Sequence, residues 1–353
     1  MLKEILEQAQ VQNVPNVIIL INTLSITILA FFFGIIITPL LTNFLYKNKL
    51  GKNIRDDSWD GTGSPIFQSM HSYKKGTPTM AGILFWGITA IFTLFNLSRE
   101  ETFLPLFFLV SGGFLGALDD FFNIKGIGKI KGLGVKIKIS LQMLIALFGA
   151  YWFTFKLNWT SIHIPGGGLF GLPVDFELGL WYIPIFILVV IFVMNSVDIT
   201  DGLDGLLAGS IIPTFSSLAV LAFIQGKYSL VMFICTLIGA LAAFLWFNIH
   251  PARFFMGGTG AFALGATLSV ISVVTNSLFI LPIIGFLFFV EGGSSILQLL
   301  SKRFLKRKIF ISAPIHHHFQ AIGWDEPKIV MRFWIVSWVM SILGLILGII
   351  GMG

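Results

Sequence analysis

Two adjacent carboxylates, Asp119 and Asp120, directly follow Leu115-Gly116-Ala117-Leu118. Like charges raise each other's pKa, so such a pair is costly unless a cation joins it. A second acidic cluster reads Asn195-Ser-Val-Asp198-Ile-Thr-Asp201-Gly-Leu-Asp204-Gly205. Helix capping, with Asp201 as N-cap and Asp204 three residues on, accounts for one or two of these groups. It does not account for three carboxylates plus Asn195. Five carboxylates in two segments, with Lys125, Lys129, Lys136 and Lys138 nearby, point to a divalent cation and a phosphorylated ligand. Mg²⁺ favours one or two carboxylates completed by phosphate oxygens.

Three further motifs suit that chemistry. Pro314-Ile-His316-His317-His318-Phe319 holds three consecutive histidines, which cannot share one helical face and lack the spacing of a zinc site. They are expected to bond phosphate or sugar from an irregular loop. The preceding run Lys302, Arg303, Lys306, Arg307 and Lys308 would either attract a diphosphate or anchor the chain at a membrane face. Lys74-Lys75-Gly-Thr77-Pro-Thr-Met80 predicts a tight turn feeding a helix. Phe255-Met-Gly257-Gly258-Thr-Gly260 places glycines where backbone N–H groups can approach an anion. His71, His163 and His250 have no partner evident from spacing. Glu291 lies inside an apolar stretch, where a carboxylate is either functional or bonded between helices.

The elements that must position these groups are membrane helices. Of 353 residues, 56% are hydrophobic and only 11% charged, against about 25% charged in soluble domains. Soluble, disordered and disulfide-scaffold classes are excluded, and the single Cys235 reads as a buried thiol. A spanning helix needs roughly 20 apolar residues. Ten stretches qualify: 17–46, 78–97, 103–118, 139–155, 180–197, 207–224, 229–247, 261–276, 278–300 and 330–352. No cleavable signal is expected, because residues 1–16 are polar and the first apolar run is too long for one. The expected fold is an all-α polytopic membrane protein, one domain over 1–353 with about ten spans. The connections 47–77, 119–138, 198–206, 248–260 and 301–329 fall on one side and, with Arg332, hold 19 of the 23 Lys and Arg. The positive-inside rule makes that side cytoplasmic and both termini extracytoplasmic. The net charge of +6 is therefore mainly a topology signal, partly a surface for anionic lipid or phosphorylated ligands, and not a nucleic-acid footprint. Across the membrane, 156–179 predicts a small hairpin, Asn158–Ile164 against Leu172–Leu178 around Gly166–Gly168.

Taken in order, Lys75-Gly-Thr-Pro-Thr-Met80, Asp119-Asp120, Gly132-Leu133 with Lys138 and Gln142, Thr200-Asp-Gly-Leu-Asp-Gly205, Phe255-Met-Gly257 and Ala313-Pro-Ile-His-His-His-Phe319 are similar to one family over nearly the whole chain. The pattern resembles the phospho-N-acetylmuramoyl-pentapeptide transferases (MraY), of the polyprenyl-phosphate N-acetylhexosamine-1-phosphate transferase superfamily. Gly323-Trp324, Glu326-Pro327 and Arg332-Phe-Trp-Ile335 extend the likeness. The resemblance implies that undecaprenyl phosphate attacks the β-phosphate of UDP-MurNAc-pentapeptide, giving lipid I and UMP with Mg²⁺. The setting would be peptidoglycan synthesis at the bacterial inner membrane, with the site facing the cytoplasm. It assigns Asp119 and Asp120 as catalytic groups that activate or orient the lipid phosphate. Asn195, Asp198 and Asp204 would bind substrate, with Asp201 holding the metal. His316, His317 and His318 would contact the sugar diphosphate, and Lys75, Thr77 and Lys138 its phosphates. Membrane lipid and a second copy of the chain complete the implied partners. Departures are Gly258 where the family's magnesium-binding Asp is expected, Ala261 for Ser, Asp198 for Asn, Asn123 for Lys and a longer 58–70. Glycine offers no ligand, so weakened metal binding is expected. Competing readings are a sister UDP-GlcNAc transferase, opposed by the triple His, and a lipid or solute transporter, opposed by polar groups that gather at one face.

Overall fold

A computed structural model describes residues 14–51, 76–96, 98–126, 132–167 and 174–351. Its helices are α1 (Val14–Lys47), α2 (Ile83–Asn96), α3 (Arg99–Lys125), α4 (Val135–Tyr151), α5 (Tyr182–Thr200), α6 (Leu206–Ile224), α7 (Tyr228–Asn248), α8 (Gly258–Val274), α9 (Leu281–Ile284), α10 (Phe286–Leu300), α11 (Ile315–Ala321) and α12 (Glu326–Ile350). Each of the ten expected spans contains a helix. Among the described residues, seven helices are long and apolar enough to cross a membrane. The second and eighth expected spans are shorter, 14 and 17 residues. The ninth is not one helix, because the chain turns at Gly285 between α9 and α10.

Apolar side chains face outward on the rim helices. Leu24, Phe32, Ile36 and Leu40 of α1 and Ile335 and Val339 of α12 are exposed, as a lipid solvent allows. Small residues face inward, because lipid tails give apolar helices no reason to prefer one another over solvent, and close backbone approach must bind them. Every residue of α8 from Gly258 to Val273 is buried. A helix apolar on all sides belongs at the centre, and α3 and α5 clasp it. Gly116 of α3 lies so close to the Gly258 carbonyl that any side chain would strike it. One apolar core runs from α1 through α2, α5, α6, α7 and α8 to α9 and α10.

The expected hairpin is present in shorter form. Strand β1 (Ser161–His163) pairs antiparallel with β2 (Asp175–Glu177), with Ser161 opposite Glu177 and His163 opposite Asp175. Gly168 and Leu172 of the expected hairpin lie outside the described residues, as do Lys74, Lys75, His71 and Lys129.

Three expected loops are instead helix. Asp119 and Asp120 sit inside α3, which continues to Lys125 and closes at Gly126 with φ 65. Asp198 lies in the last turn of α5. The triple His forms α11 and not an irregular loop. For Asp119, Asp120 and His316, partners on other elements satisfy the polar side chains, so the backbone need not leave the helix to solvate them.

Candidate active site

Successive residues on a helix point about 100° apart, so Asp119 and Asp120 serve different neighbours. Asp119 Oδ2 meets Lys138 Nζ of α4 at 2.6 Å with both side chains buried. Its other oxygen accepts from the Leu133 backbone N–H at 2.9 Å. Lys138 Nζ also stands 4.9 Å over the Phe262 ring of α8. Asp120 turns to the start of α8 and accepts from Gly258 N–H at 3.2 Å, Thr259 N–H at 3.0 Å and Thr259 Oγ1 at 2.7 Å. A carboxylate there satisfies orphan donors and the positive end of the helix dipole. The repulsion expected between the pair is thus relieved by a lysine on one side and a helix end on the other.

Asp201 caps α5, and its Oδ2 accepts from Gly257 N–H at 3.1 Å. Two carboxylates from different helices therefore bracket Gly257–Thr259. The Thr-Pro-Thr turn is stitched to the same loop: Phe255 N–H donates to Pro78 O at 2.7 Å, and Ala81 and Gly82 N–H to Phe255 O and Met256 O. Thr77 is half-buried at the head of this segment, beside the Gly51–Pro78 bridge. Asn195 reaches from α5 to Gln142 Oε1 of α4 at 2.8 Å. Asp198 is half-buried one turn beyond.

Asp204 is placed differently. Its Oδ2 bonds His250 Nδ1 at 3.0 Å and Ala252 N–H at 3.2 Å, while its own N–H donates to Glu326 Oε1 at 2.6 Å. Asp204, His250 and Glu326 offer ligand atoms within 4.8 Å of one another. The spacing reading missed this group, since its members lie 46 and 122 residues apart. The only hints were His250 in a motif loop and Glu326 at a helix start.

The three histidines diverge. His316 is fully buried, with Nδ1 bonded to Glu291 Oε2 at 2.9 Å. A side chain at Gly202 would collide with its Nε2, so the ring rests on the Asp201–Asp204 turn. His317 Nδ1 bonds Gln320 Oε1 at 2.7 Å, and His318 Nδ1 accepts from Ile311 N–H at 3.3 Å. Both are half-buried. Contacts thus run continuously from Asp120 through Gly257–Thr259 to Asp201, Gly202, His316 and Glu291.

The metal that the resemblance implies was tested against these donors. Asp120 and Asp201 are hard oxygen donors that flank one loop, a set that fits Mg²⁺ completed by phosphate oxygens. A Cβ at Gly258 would stand 3.6 Å from Asp120 Oδ1, in ordinary contact, so the position has room for a side chain it does not carry. Asp204, His250 and Glu326 form a mixed nitrogen and oxygen set, which suits a softer divalent ion.

Carboxylates, a lysine and a glycine-opened helix start thus meet at one end of a helical membrane bundle, and residues 102–276 match the family described as glycosyl transferase family 4. The comparisons carry the assignment further. Over 90% of its length the chain is 36% identical to a phospho-N-acetylmuramoyl-pentapeptide-transferase of Geobacillus sp. (strain WCH70), covering 95% of that protein. The relative of the same name from Anoxybacillus flavithermus is 36% identical with the same two coverages. That from Chloroflexus aurantiacus (strain ATCC 29366 / DSM 635 / J-10-fl) is 36% identical over 91% of this chain and 88% of its own. The chain belongs to the phospho-N-acetylmuramoyl-pentapeptide-transferase family.

Proposed function

We propose that this chain transfers phospho-MurNAc-pentapeptide from UDP-MurNAc-pentapeptide to undecaprenyl phosphate, giving lipid I and UMP in peptidoglycan synthesis. The observation that carries the reading is the convergence of Asp119, Asp120, Asp201 and the Gly257–Thr259 helix start at one end of the bundle. Phosphoryl transfer needs mainly positioning and charge neutralisation. Lys138 holds Asp119 and the N–H groups at the start of α8 hold Asp120, and the lysine and the positive helix end offset the charge of a phosphate brought beside those carboxylates. Asp119 and Asp120 orient the acceptor phosphate. Asn195, Asp198 and Asp204 shape the nucleotide-sugar side, and His317 and His318 border it from α11. Lys75, which precedes the Thr77 segment, adds positive charge. Mg²⁺ belongs to this reading, held by Asp201 with Asp120; when bound it supplies charge neutralisation on the diphosphate.

The excess of Lys and Arg on the motif side favours a cytoplasmic site in the bacterial inner membrane, with both termini outside. A cysteine at Ser312 should then resist impermeant reagents in intact cells and one at Ser161 should react. The reverse pattern overturns the orientation. The reaction is tested in nanodiscs with UDP-MurNAc-pentapeptide and undecaprenyl phosphate, with and without Mg²⁺. UMP release that needs both substrates supports the reading. Release with UDP-GlcNAc alone as donor would assign the sister activity, and none with either donor would reject the transfer.

A further inference from the structure

One face of α10 carries Glu291, Ser294 and Gln298, spaced three and four residues apart and all buried. That spacing aligns them on one stripe, and all three hold the segment 309–316. Gln298 binds backbone only, accepting from Ile309 and Phe310 N–H at 3.0 and 3.1 Å and donating to Phe310 O at 2.9 Å. Ser294 Oγ accepts from Ile315 N–H at 3.1 Å. Glu291 alone reaches a side chain, His316 Nδ1, at 2.9 Å with both groups 0% exposed.

Tethering does not require an acid. Ser294 and Gln298 show that neutral groups hold this segment. A buried carboxylate is costly, and Glu291 Oε1 has no hydrogen-bond partner among the described residues. An amide or hydroxyl would tie α10 to α11 at less cost. What an acceptor-only carboxylate adds is a fixed histidine tautomer. An ionised carboxylate only accepts hydrogen bonds, so it selects the ring tautomer with the proton on Nδ1, whereas an amide can accept or donate and selects neither. Nδ1 then carries the proton, and Nε2 is turned to Gly202, in the turn between Asp201 and Asp204. Carboxylates orient imidazoles in this way beside metals and in hydrolase triads, where their loss costs 10- to 10⁴-fold.

We propose that Glu291 is a positioning residue: its carboxylate sets the tautomer and ring orientation of His316, which in turn holds the Asp201–Asp204 turn in its working geometry. The proposal rests on the transferase reading only for its kinetic consequence. Gly292, the next residue, packs against Ser196 of α5 with no room for a side chain, so α10, α5 and α11 are locked around the same point.

The first readout needs no activity. In nanodisc-embedded full-length protein labelled with ¹⁵N in the histidine rings, His316 is assigned by subtracting the spectrum of His316→Asn. The wild type should show an Nδ1-protonated ring, and Glu291→Gln should shift or mix the tautomer while the melting midpoint stays within a few degrees. An Nε2-only protonated ring in the wild type, or an unchanged ring in Glu291→Gln, overturns the proposal. The second readout is UMP release. Glu291→Gln should lower kcat about 10²-fold with the donor KM nearly unchanged, and Glu291→Asp, which keeps the charge, should recover part of the loss. A changed tautomer with wild-type kcat, or a KM effect alone, refutes the positioning role. If the wild type turns over neither donor, the transferase reading fails and the tautomer result still decides what Glu291 does to His316. Should Glu291→Gln not fold, the wild-type ring and Glu291→Asp carry the same test.

Discussion

At the motif end of the bundle, Asp119 and Glu291 are buried and Asp120 and Asp201 half-buried, and each is held by a partner from another part of the chain: Asp119 by Lys138 of α4, Asp120 by the start of α8, Asp201 by Gly257, Glu291 by His316 of α11. At the hairpin end the one ion pair between side chains among the described residues is exposed to solvent. His163 pairs with Asp175 across the two-stranded turn, with the aspartate side chain 64% exposed. Lys227 donates to Gln225 two residues away and to the Val274 carbonyl, and its burial lowers its pKa although Glu101 opposes the shift. An exposed pair such as His163–Asp175 contributes about 0–1 kcal/mol, whereas breaking a buried pair costs about 3–5 kcal/mol because it strands a charge. Asp119 and Glu291 are therefore retained against a large cost, and the end that holds them is where chemistry is expected.

Substitution separates the two ends most widely at Lys138. Lys138→Met leaves Asp119 buried without its cation and should destabilise the protein by about 3–5 kcal/mol. Adding Asp119→Asn to it should return most of that stability but not turnover. Thermal melts of both variants in detergent check this, and equal stability of wild type and Lys138→Met would show that Asp119 is solvated after all. Asp120→Asn is next. It keeps the shape but removes the charge at the start of α8, and UMP release should fall ~10²-fold or more, the scale of charge-stabilising groups. A wild-type rate would reduce Asp120 to a helix cap.

The contrast between the ends was only half legible in the residues. Apolar run length located a helix in every expected span, because hydropathy reports the solvent each segment meets. It could not report where helices stop. α3 runs past Asp119 and Asp120, since the groups that stabilise that turn come from elsewhere in the chain, and α5 runs past Asp198 to Thr200. Asp120 lies 138 residues from Gly258, and no periodicity encodes such a contact. The Glu291–His316 and Asp204–His250 pairs are hidden for the same reason. The histidine run misled in another way. Three adjacent histidines do face different directions, but a short helix accommodates that by burying one and leaving two half-exposed.

Gly258→Asp sharpens the motif end at intermediate magnitude. The new carboxylate would stand beside Asp120, and without metal the two should repel and lower the melting midpoint. With Mg²⁺ the loss should reverse, and turnover should rise ~10-fold or more at limiting Mg²⁺, since added hard ligands strengthen such a site. A melting midpoint unaffected by Mg²⁺ in the variant would mean that no metal sits between Asp120 and Asp201.

The smallest effects are expected at the hairpin, and they test whether the division holds. His163 makes two bonds, Nδ1 to Asp175 at 2.9 Å and Nε2 to the Gly351 carbonyl at 3.1 Å, which joins the hairpin to the end of α12. Asp175 contributes one of these and is largely in solvent. Asp175→Asn keeps a hydrogen-bonding oxygen and should change stability by only a few tenths of a kcal/mol, as exposed pairs do. His163→Ala loses both ties and should cost about 1 kcal/mol, the net value of ordinary hydrogen bonds. Neither substitution touches the Asp120–Asp201 loop, so UMP release should stay within about twofold of wild type in both, the range of surface changes away from special features. Melting curves and initial rates on the two variants measure this directly. A fall in kcat for Asp175→Asn as deep as that for Asp120→Asn would place catalytic consequence at both ends of the bundle, and burial with partners on separate elements would then no longer mark which charges do chemistry.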